Sequence, residues 1–338
     1  MATRTGAGPG GGDGRGMPQS IAIVGSHGLL GRRLAQRLAA DPAVARIVAI
    51  DLRPPEEPLP KVVFHRIDLT RPSADQEIAD ILLVERCAAL VHLAFFGEPI
   101  PNASYAHELE VIGTLHVLTA ATAAKVERLV MRSTTAVYGA HPKNPSLIRE
   151  DQRTRGAPSS RFVGDKLEAE REVRRFAEEH PEVAVAILRF APILGPGARN
   201  LISRYLSQGV APTLAGFDPL MQAVHPEDAV DALLAAIRLG AAGVFNVAGA
   251  GVLPISAALR LRGTRAVPLP HRLAEAALRA MRGVGLGYAL PASMLDYLRY
   301  PVVTDIALAK ETLGFKPKHS TLEAVQAIDQ PGSEAEAR

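Results

Sequence analysis

The sequence predicts an α/β fold built on a doubly wound parallel sheet, and three observations carry that expectation. The stretch Ile21 to Asp51 reads as strand, tight glycine turn, helix and strand. Beyond it, short apolar runs alternate with segments of helical spacing as far as Phe190, the pattern of parallel strands joined by crossover helices. The chain has 338 residues, 47% hydrophobic and 22% charged, enough to bury a full core.

In the first unit, an apolar run Ile21 to Val24 ends at Gly25, and glycines recur at Gly28 and Gly31. The first permits a sharp turn. The second lets backbone approach a pyrophosphate, and the third lets the helix pack close to the sheet. The helix that follows is marked by Leu29, Leu30, Leu34 and Leu38, and its N-terminus offers amides and a positive dipole end to phosphates. A second run, Ile47 to Ile50, closes on Asp51, where a carboxylate can accept the ribose hydroxyls of NAD. Asp51 favours NAD over NADP, because a 2′-phosphate there would meet like charge. Arg32, Arg33 and Arg53 keep NADP open, although solvated helix and loop faces account for each.

The remaining elements follow in order. Residues 1–20, rich in glycine and without periodicity, read as a disordered tail, with Met17 as an alternative start. After a proline-rich loop, Val62 to Asp68 predicts a third strand ending in an acid, Ala74 to Arg86 a helix, and Ala89 to Leu93 a fourth strand. Glu108 to Ala124 predicts a long helix, Leu129 to Met131 a fifth strand, Lys166 to His180 a charged helix, and Val183 to Phe190 a sixth strand. Beyond Gly195-Pro196-Gly197 the alternation breaks down into turns, short apolar runs and an arginine-bearing helix near 272–282. Residues 21–195 are therefore expected to form a Rossmann-type cofactor domain, and 196–329 a small substrate-binding portion sharing some sheet elements. Residues 330–338 are expected to fray.

The bulk numbers narrow the function. A net charge of +3, with basic residues scattered, argues against nucleic acid. The single cysteine, Cys87, can form no internal disulfide and sits in an apolar context, which suits a reducing cytoplasm. The ten histidines are dispersed, none at ligand spacing with acids or cysteine, so no metal site is expected. No N-terminal signal-like segment and no membrane span is expected; the longest uncharged stretch, Ala241 to Leu259, contains Asn246, Pro254 and glycines and reads as strand plus loop.

Several local matches then converge. The glycine turn has GxxGxxG spacing. Asp68-Leu69, His92-Leu93-Ala94, Ser133 to Gly139, Arg189 with Gly195-Pro196, His225 to Asp228, Phe245 to Val247, and Asp305 to Lys310 with Leu313-Gly314-Phe315 each match a motif. With these the chain, from Ile21 to about Val325, resembles an extended short-chain dehydrogenase/reductase of the NAD-dependent epimerase/dehydratase family. Within that family it is most similar to UDP-glucose 4-epimerase-like members with incomplete active sites. The resemblance implies a cofactor site at Gly25, His27, Gly28, Leu29, Leu30, Gly31, Asp51, Leu52, Arg53, Asp68, Leu69, Leu93, Ala94, Ser133 and Lys166, the Asp68-Leu69 pair holding adenine. It implies substrate contacts at Thr134, Thr135, Arg189, Asn200 and His225, with a nucleotide sugar as the small-molecule substrate. It further implies a homodimer paired through the helices 108–124 and 166–180.

In such enzymes a tyrosine four residues before a lysine does the acid/base work, the lysine contacts the nicotinamide ribose and lowers the tyrosine pKa, and a Ser or Thr holds the reacting oxygen. Here the segment reads Pro158-Ser159-Ser160-Arg161-Phe162-Val163-Gly164-Asp165-Lys166. The lysine persists as Lys166 and the hydroxyl as Thr134, while Phe162 occupies the tyrosine position. A positioned acid/base group is worth ~10²–10⁴ in rate, so this change strikes at the chemistry and leaves the cofactor site intact. Two further departures are Glu110 and Pro192, each where the family has Asn. Tyr138, His141, Ser160 and Asp165 are the candidate substitute bases. Two readings follow: an NAD-dependent epimerase/dehydratase-like enzyme with an atypical site, or a reductase/dehydrogenase on a non-sugar substrate; and, from a different class, a silent dinucleotide-binding sensor or partner protein.

Overall fold

The structure is a computed structural model and describes residues 16–157, 160–283 and 290–329. Its first half alternates strand and helix: β1 (Ser20–Val24), α1 (Leu29–Ala40), β2 (Arg46–Asp51), β3 (Val62–Arg66), α2 (Ala74–Val84) and β4 (Ala89–His92). Then come α3 (Ala103–His107), a π-helical stretch Glu108–Ile112, α4 (Gly113–Ala123), β5 (Arg128–Thr134), a 3-10 turn Thr135–Tyr138, α5 (Arg161–Glu179) and β6 (Ala184–Phe190). The second half holds α6 (Leu201–Leu206), β7 (Val210–Leu214), β8 (Leu220–Met221), α7 (Pro226–Leu239), β9 (Gly243–Val247), β10 (Leu253–Pro254), α8 (Ile255–Leu261) and β11 (Arg265–Leu269). It ends with α9 (His271–Gly283), a 3-10 helix Ala292–Leu298, α10 (Ala307–Leu313) and α11 (Thr321–Gln326).

Seven parallel strands form the central sheet in the order β3-β2-β1-β4-β5-β6-β9. Ile21 to Val24 pair with Ile47 to Ile50 on one side and with Ala89 to His92 on the other. The chain order therefore reverses between β1 and β4, which opens a crevice at their carboxyl ends. Side chains alternate across the sheet: Ile21 and Ile23 join a core beneath α1, α7 and α10, while Ala22 and Val24 join one beneath α2, α4 and α5. A third core, built around Tyr205, Ala258, Leu278 and Met294, belongs to the C-terminal half.

The sequence expectations need several corrections. β3 ends at Arg66, short of Asp68, whose carboxylate instead accepts hydrogen bonds from the Thr70 amide and hydroxyl at 3.0 and 2.7 Å. The helix expected at 108–124 begins at Ala103, and its first part is π-wound, which breaks the 3.6-residue period that the apolar spacing follows. β5 runs through Thr134, and α5 starts at Arg161, so Phe162 and Lys166 share one helix. The alternation does not stop at Gly197: α7 crosses over and β9 supplies the seventh parallel strand. Within the expected N-terminal tail, Ser20 already belongs to β1, Met17 packs on the core, and the Gly16 amide donates to the Arg238 carbonyl at 3.2 Å. Residues 1–15, Pro158, Ser159 and the expected frayed end 330–338 lie outside the described residues. Among the described residues no helix is long and apolar enough to cross a membrane.

Candidate functional site

The glycine turn lies in the β1/β4 crevice. Gly25 has φ +86, and a Cβ there would come within 2.6 Å of the Ala94 amide nitrogen. A Cβ on Gly31 would sit 2.3 Å from the Gly25 carbonyl oxygen. Packing demands glycine at both positions. Gly28 differs: it is the α1 N-cap with an ordinary φ of −64, and a Cβ would meet only the Gly25 oxygen, at 3.5 Å. The chain's own packing gives no reason for glycine there, whereas a phosphate lying against the first-turn amides of Leu29 and Leu30 would.

Beside the turn, Asp51 is fixed by the His27 amide (2.9 Å) and the Leu52 amide (2.7 Å). The His27 ring nitrogen Nδ1 lies 3.1 Å from the Pro54 carbonyl. Leu52 and Arg53 are exposed on the loop. Leu93 continues the ladder to the Val24 carbonyl at 2.8 Å, and Leu69 packs on Gly113. Asp68 follows β3 on the same side of the sheet as Asp51. A phosphate cradle next to an oriented carboxylate fits a dinucleotide. Arg32 pairs with Glu56, and Arg33 with Glu227 and the Pro196 carbonyl, so both are committed to protein partners.

Ala94 leads within two residues to Phe96, and here a second space opens. A cavity of about 170 Å³ lies between the ends of β5 and β6 and the C-terminal half. Thr134, Thr135, Phe162, Lys166 and Asn200 all line it. Thr134 Oγ1 accepts from the Ala136 amide at 3.2 Å, which leaves its own proton for another acceptor. One helical turn brings Phe162 under Lys166, whose Nζ lies 4.0 Å from the ring centroid.

Lys166 is not free. Its Nζ donates to both carboxylate oxygens of Glu110, at 2.7 and 2.9 Å, and both residues are buried. Glu110 also accepts from the Phe96 amide at 2.7 Å. Burial pushes the Lys166 pKa down, and the Glu110 charge beside it works in the opposite direction. Arg132, whose Nη1 donates to the Phe95 carbonyl at 3.2 Å, is likewise pushed down by burial.

Other expected site residues lie elsewhere or are spent on structure. Arg189 is fully buried and does not reach the cavity: it binds the Glu170 carboxylate, the Tyr138 hydroxyl at 2.8 Å and the Glu150 carbonyl at 3.1 Å. His225 caps α7, accepting from the Glu227 amide at 3.3 Å, and stacks on His319 with centroids 3.9 Å apart; it does not line the cavity either. Both were expected to touch substrate; in this structure both are bonded to other protein groups. Ser133 lines the cavity but donates to Glu170 at 2.5 Å. Asn200 uses its amide to cap α6 and to reach the Ile193 carbonyl at 2.6 Å.

Among the candidate bases, Tyr138 is buried with its hydroxyl donating to Asn246 Oδ1 at 2.7 Å. His141 accepts from the Lys143 amide at 3.1 Å on the surface, and Ser160 precedes α5 outside the cavity lining. Asp165 Oδ1 lies 3.1 Å from the His107 ring nitrogen Nδ1, and with Glu168 the three bring ligand-type atoms within 4.8 Å of one another. Linear spacing does not reveal that grouping, because His107 lies on α3. Sequence reasoning also missed Glu170 and the tyrosines 297 and 300 that line the cavity.

Residues 21–248 match the sequence model of the NAD dependent epimerase/dehydratase family. The chain belongs to that family. An uncharacterised protein of Mycobacterium tuberculosis is 33% identical over 314 residues, covering 91% of this chain and 82% of the relative. The sterol-4-alpha-carboxylate 3-dehydrogenase of Candida albicans is 29% identical over 195 residues, covering 54% of this chain and 53% of the relative. Among solved structures, the UDP-glucose 4-epimerase of Thermus thermophilus, crystallised with NAD, is similar with a TM-score of 0.70 at 18% identity, over 91% of this chain and 97% of that one. At that identity the likeness shows the fold.

Proposed function

We propose that this chain holds NAD in the glycine cradle and exchanges hydride with a hydroxyl or carbonyl carbon of a small molecule in the adjoining cavity, with Phe162 standing where the acid/base tyrosine is expected. The observation that carries this reading is the convergence of Thr134, Phe162 and Lys166 on one cavity two residues beyond Ala94. When bound, NAD supplies the hydride acceptor. Gly25, Gly28, Leu29, Leu30 and Gly31 would hold its pyrophosphate, Asp51 with Leu52 and Arg53 its adenosine ribose, and Asp68 and Leu69 its adenine. His27 keeps Asp51 in place, and Leu93, Ala94, Ser133 and Lys166 border the nicotinamide end.

Phe162 moves no proton. Thr134 can donate its hydroxyl proton to a substrate oxygen, and Lys166, paired with Glu110, lines the same cavity. Thr135 closes the same wall. The substrate class has two supports. The family and the Thermus thermophilus neighbour support a nucleotide sugar. The apolar cavity lining and the Candida albicans relative support a non-sugar alcohol or ketone, the class we propose.

The test is mass spectrometry of small molecules released when the purified protein is denatured. NAD without a UDP-sugar is expected. A protein released empty that also fails to bind added NAD overturns the reading and leaves an interaction role.

A further inference from the structure

Several polar groups in the cavity lining are bonded to other protein groups. Lys166 is spent on Glu110 and Ser133 on Glu170. Gln222 donates to the Thr304 carbonyl at 3.2 Å and accepts from the Thr304 amide at 2.8 Å. The hydroxyls of Tyr205 and Tyr297 donate to the carbonyls of Pro212 and Ala136, each at 2.7 Å. Away from Thr134 the wall is mostly hydrocarbon, with Leu201, Leu206, Met221, Ile255, Met294 and Leu298, and it also carries Thr135 and Tyr300.

A nucleotide diphosphate brings two negative charges that need cations or free amides when water is removed. Among the described lining residues the only cations are Arg132 and Lys166. Both sit at the Thr134 end, and both are bonded to protein groups. An apolar body would instead match the wall, with one oxygen directed at Thr134.

Resting on the proposed NAD site for its chemistry, we infer that this cavity takes a compact apolar secondary alcohol or ketone, its single oxygen at Thr134 and its hydrocarbon body among Leu201, Met221 and Leu298. Oxidation of such an alcohol breaks its carbinol C–H bond, sends hydride to NAD and the hydroxyl proton to solvent, and leaves the ketone and NADH.

The test is displacement of Nile red from the NAD-loaded full chain by menthone, by cyclododecanone and by UDP-glucose, with NAD affinity measured separately by calorimetry. Either ketone is expected to displace the dye and UDP-glucose is not. Met221→Arg is expected to weaken the ketone at least about tenfold, with retained NAD binding showing that the variant is folded; Ile255→Glu serves if that variant does not fold. Displacement by UDP-glucose, or no displacement by either ketone while NAD still binds, overturns the apolar ligand and spares the cofactor reading. Ketone binding without NAD binding overturns the cofactor reading and spares the pocket.

Discussion

Lys166 and Glu110, fifty-six positions apart, form a buried two-toothed ion pair in which Nζ reaches both carboxylate oxygens. The π-wound stretch before α4 carries Glu110 to the same depth at which α5 presents Lys166. The residue read in the sequence as a lost asparagine is therefore the counter-ion of the retained lysine.

Removing one partner should cost more than removing both. Glu110→Leu leaves a buried ammonium unpaired and is expected to destabilise by about 3–5 kcal/mol. Glu110→Leu combined with Lys166→Met should cost less than the sum of the single changes. Urea unfolding of the four proteins checks this, and additive losses would show that the pair is uncoupled.

Arg189→Met should behave as a core lesion. The guanidinium ties α5, through Glu170, to Tyr138 and the Glu150 carbonyl. Its loss strands a buried carboxylate, at about 3–5 kcal/mol. Thermal unfolding with and without ligand separates the roles: stability falls in both, by the same amount.

His92 makes stability depend on pH. Its ring is buried and its pKa is pushed down to about 3. Thr114 donates its hydroxyl proton to the Glu110 carbonyl at 2.5 Å, so it must accept from His92 Nε2, at 2.9 Å, and the ring is neutral. The unfolded chain takes up this proton near pH 6.5 and the folded chain does not. The stabilising contribution is therefore complete above about pH 6.5 and falls by roughly 1.4 kcal/mol per unit as the pH drops toward 3. Unfolding free energies of wild type and His92→Gln across that window should differ in slope by about one proton; equal slopes would contradict it.

Phe162→Tyr should create no UDP-glucose epimerase, because among the described lining residues the cations, Arg132 and Lys166, are bonded to protein groups. Epimer formation from UDP-glucose, followed by chromatography, is the readout. Its appearance would restore the nucleotide-sugar reading and identify the native site as a disabled epimerase.

Legibility in the sequence followed locality. The β1–α1–β2 unit was readable because its glycines, apolar periods and closing acid lie within about thirty residues. The place of β9 was not: a strand is read within Ala241 to Leu259, but only the α7 crossover sets Gly243–Val247 beside β6 in the parallel sheet. The Arg189 ion pair was not readable because its partner Glu170 occupies a buried face of a helix that looks charged in the sequence. The identity of the cavity wall was also hidden, since it draws on α6, β8, α8 and the 3-10 helix at 292–298, segments with no common period. Thr134, Phe162 and Lys166 could be singled out because an adjacent motif carries each of them, and the structure brings them to one cavity.

NAD titration of the wild type and of Gly28→Val by calorimetry tests the central claim most directly. Gly28 has ordinary backbone angles, and a Cβ there would make only ordinary contact with the Gly25 oxygen at 3.5 Å, so the variant should fold with a loss of no more than about 1 kcal/mol at the α1 cap. The wild type should bind NAD in preference to NADP, and Gly28→Val should lose at least about tenfold in affinity as its side chain fills the phosphate cradle. A wild type that takes up no NAD, or a folded Gly28→Val that binds it equally well, would contradict the account.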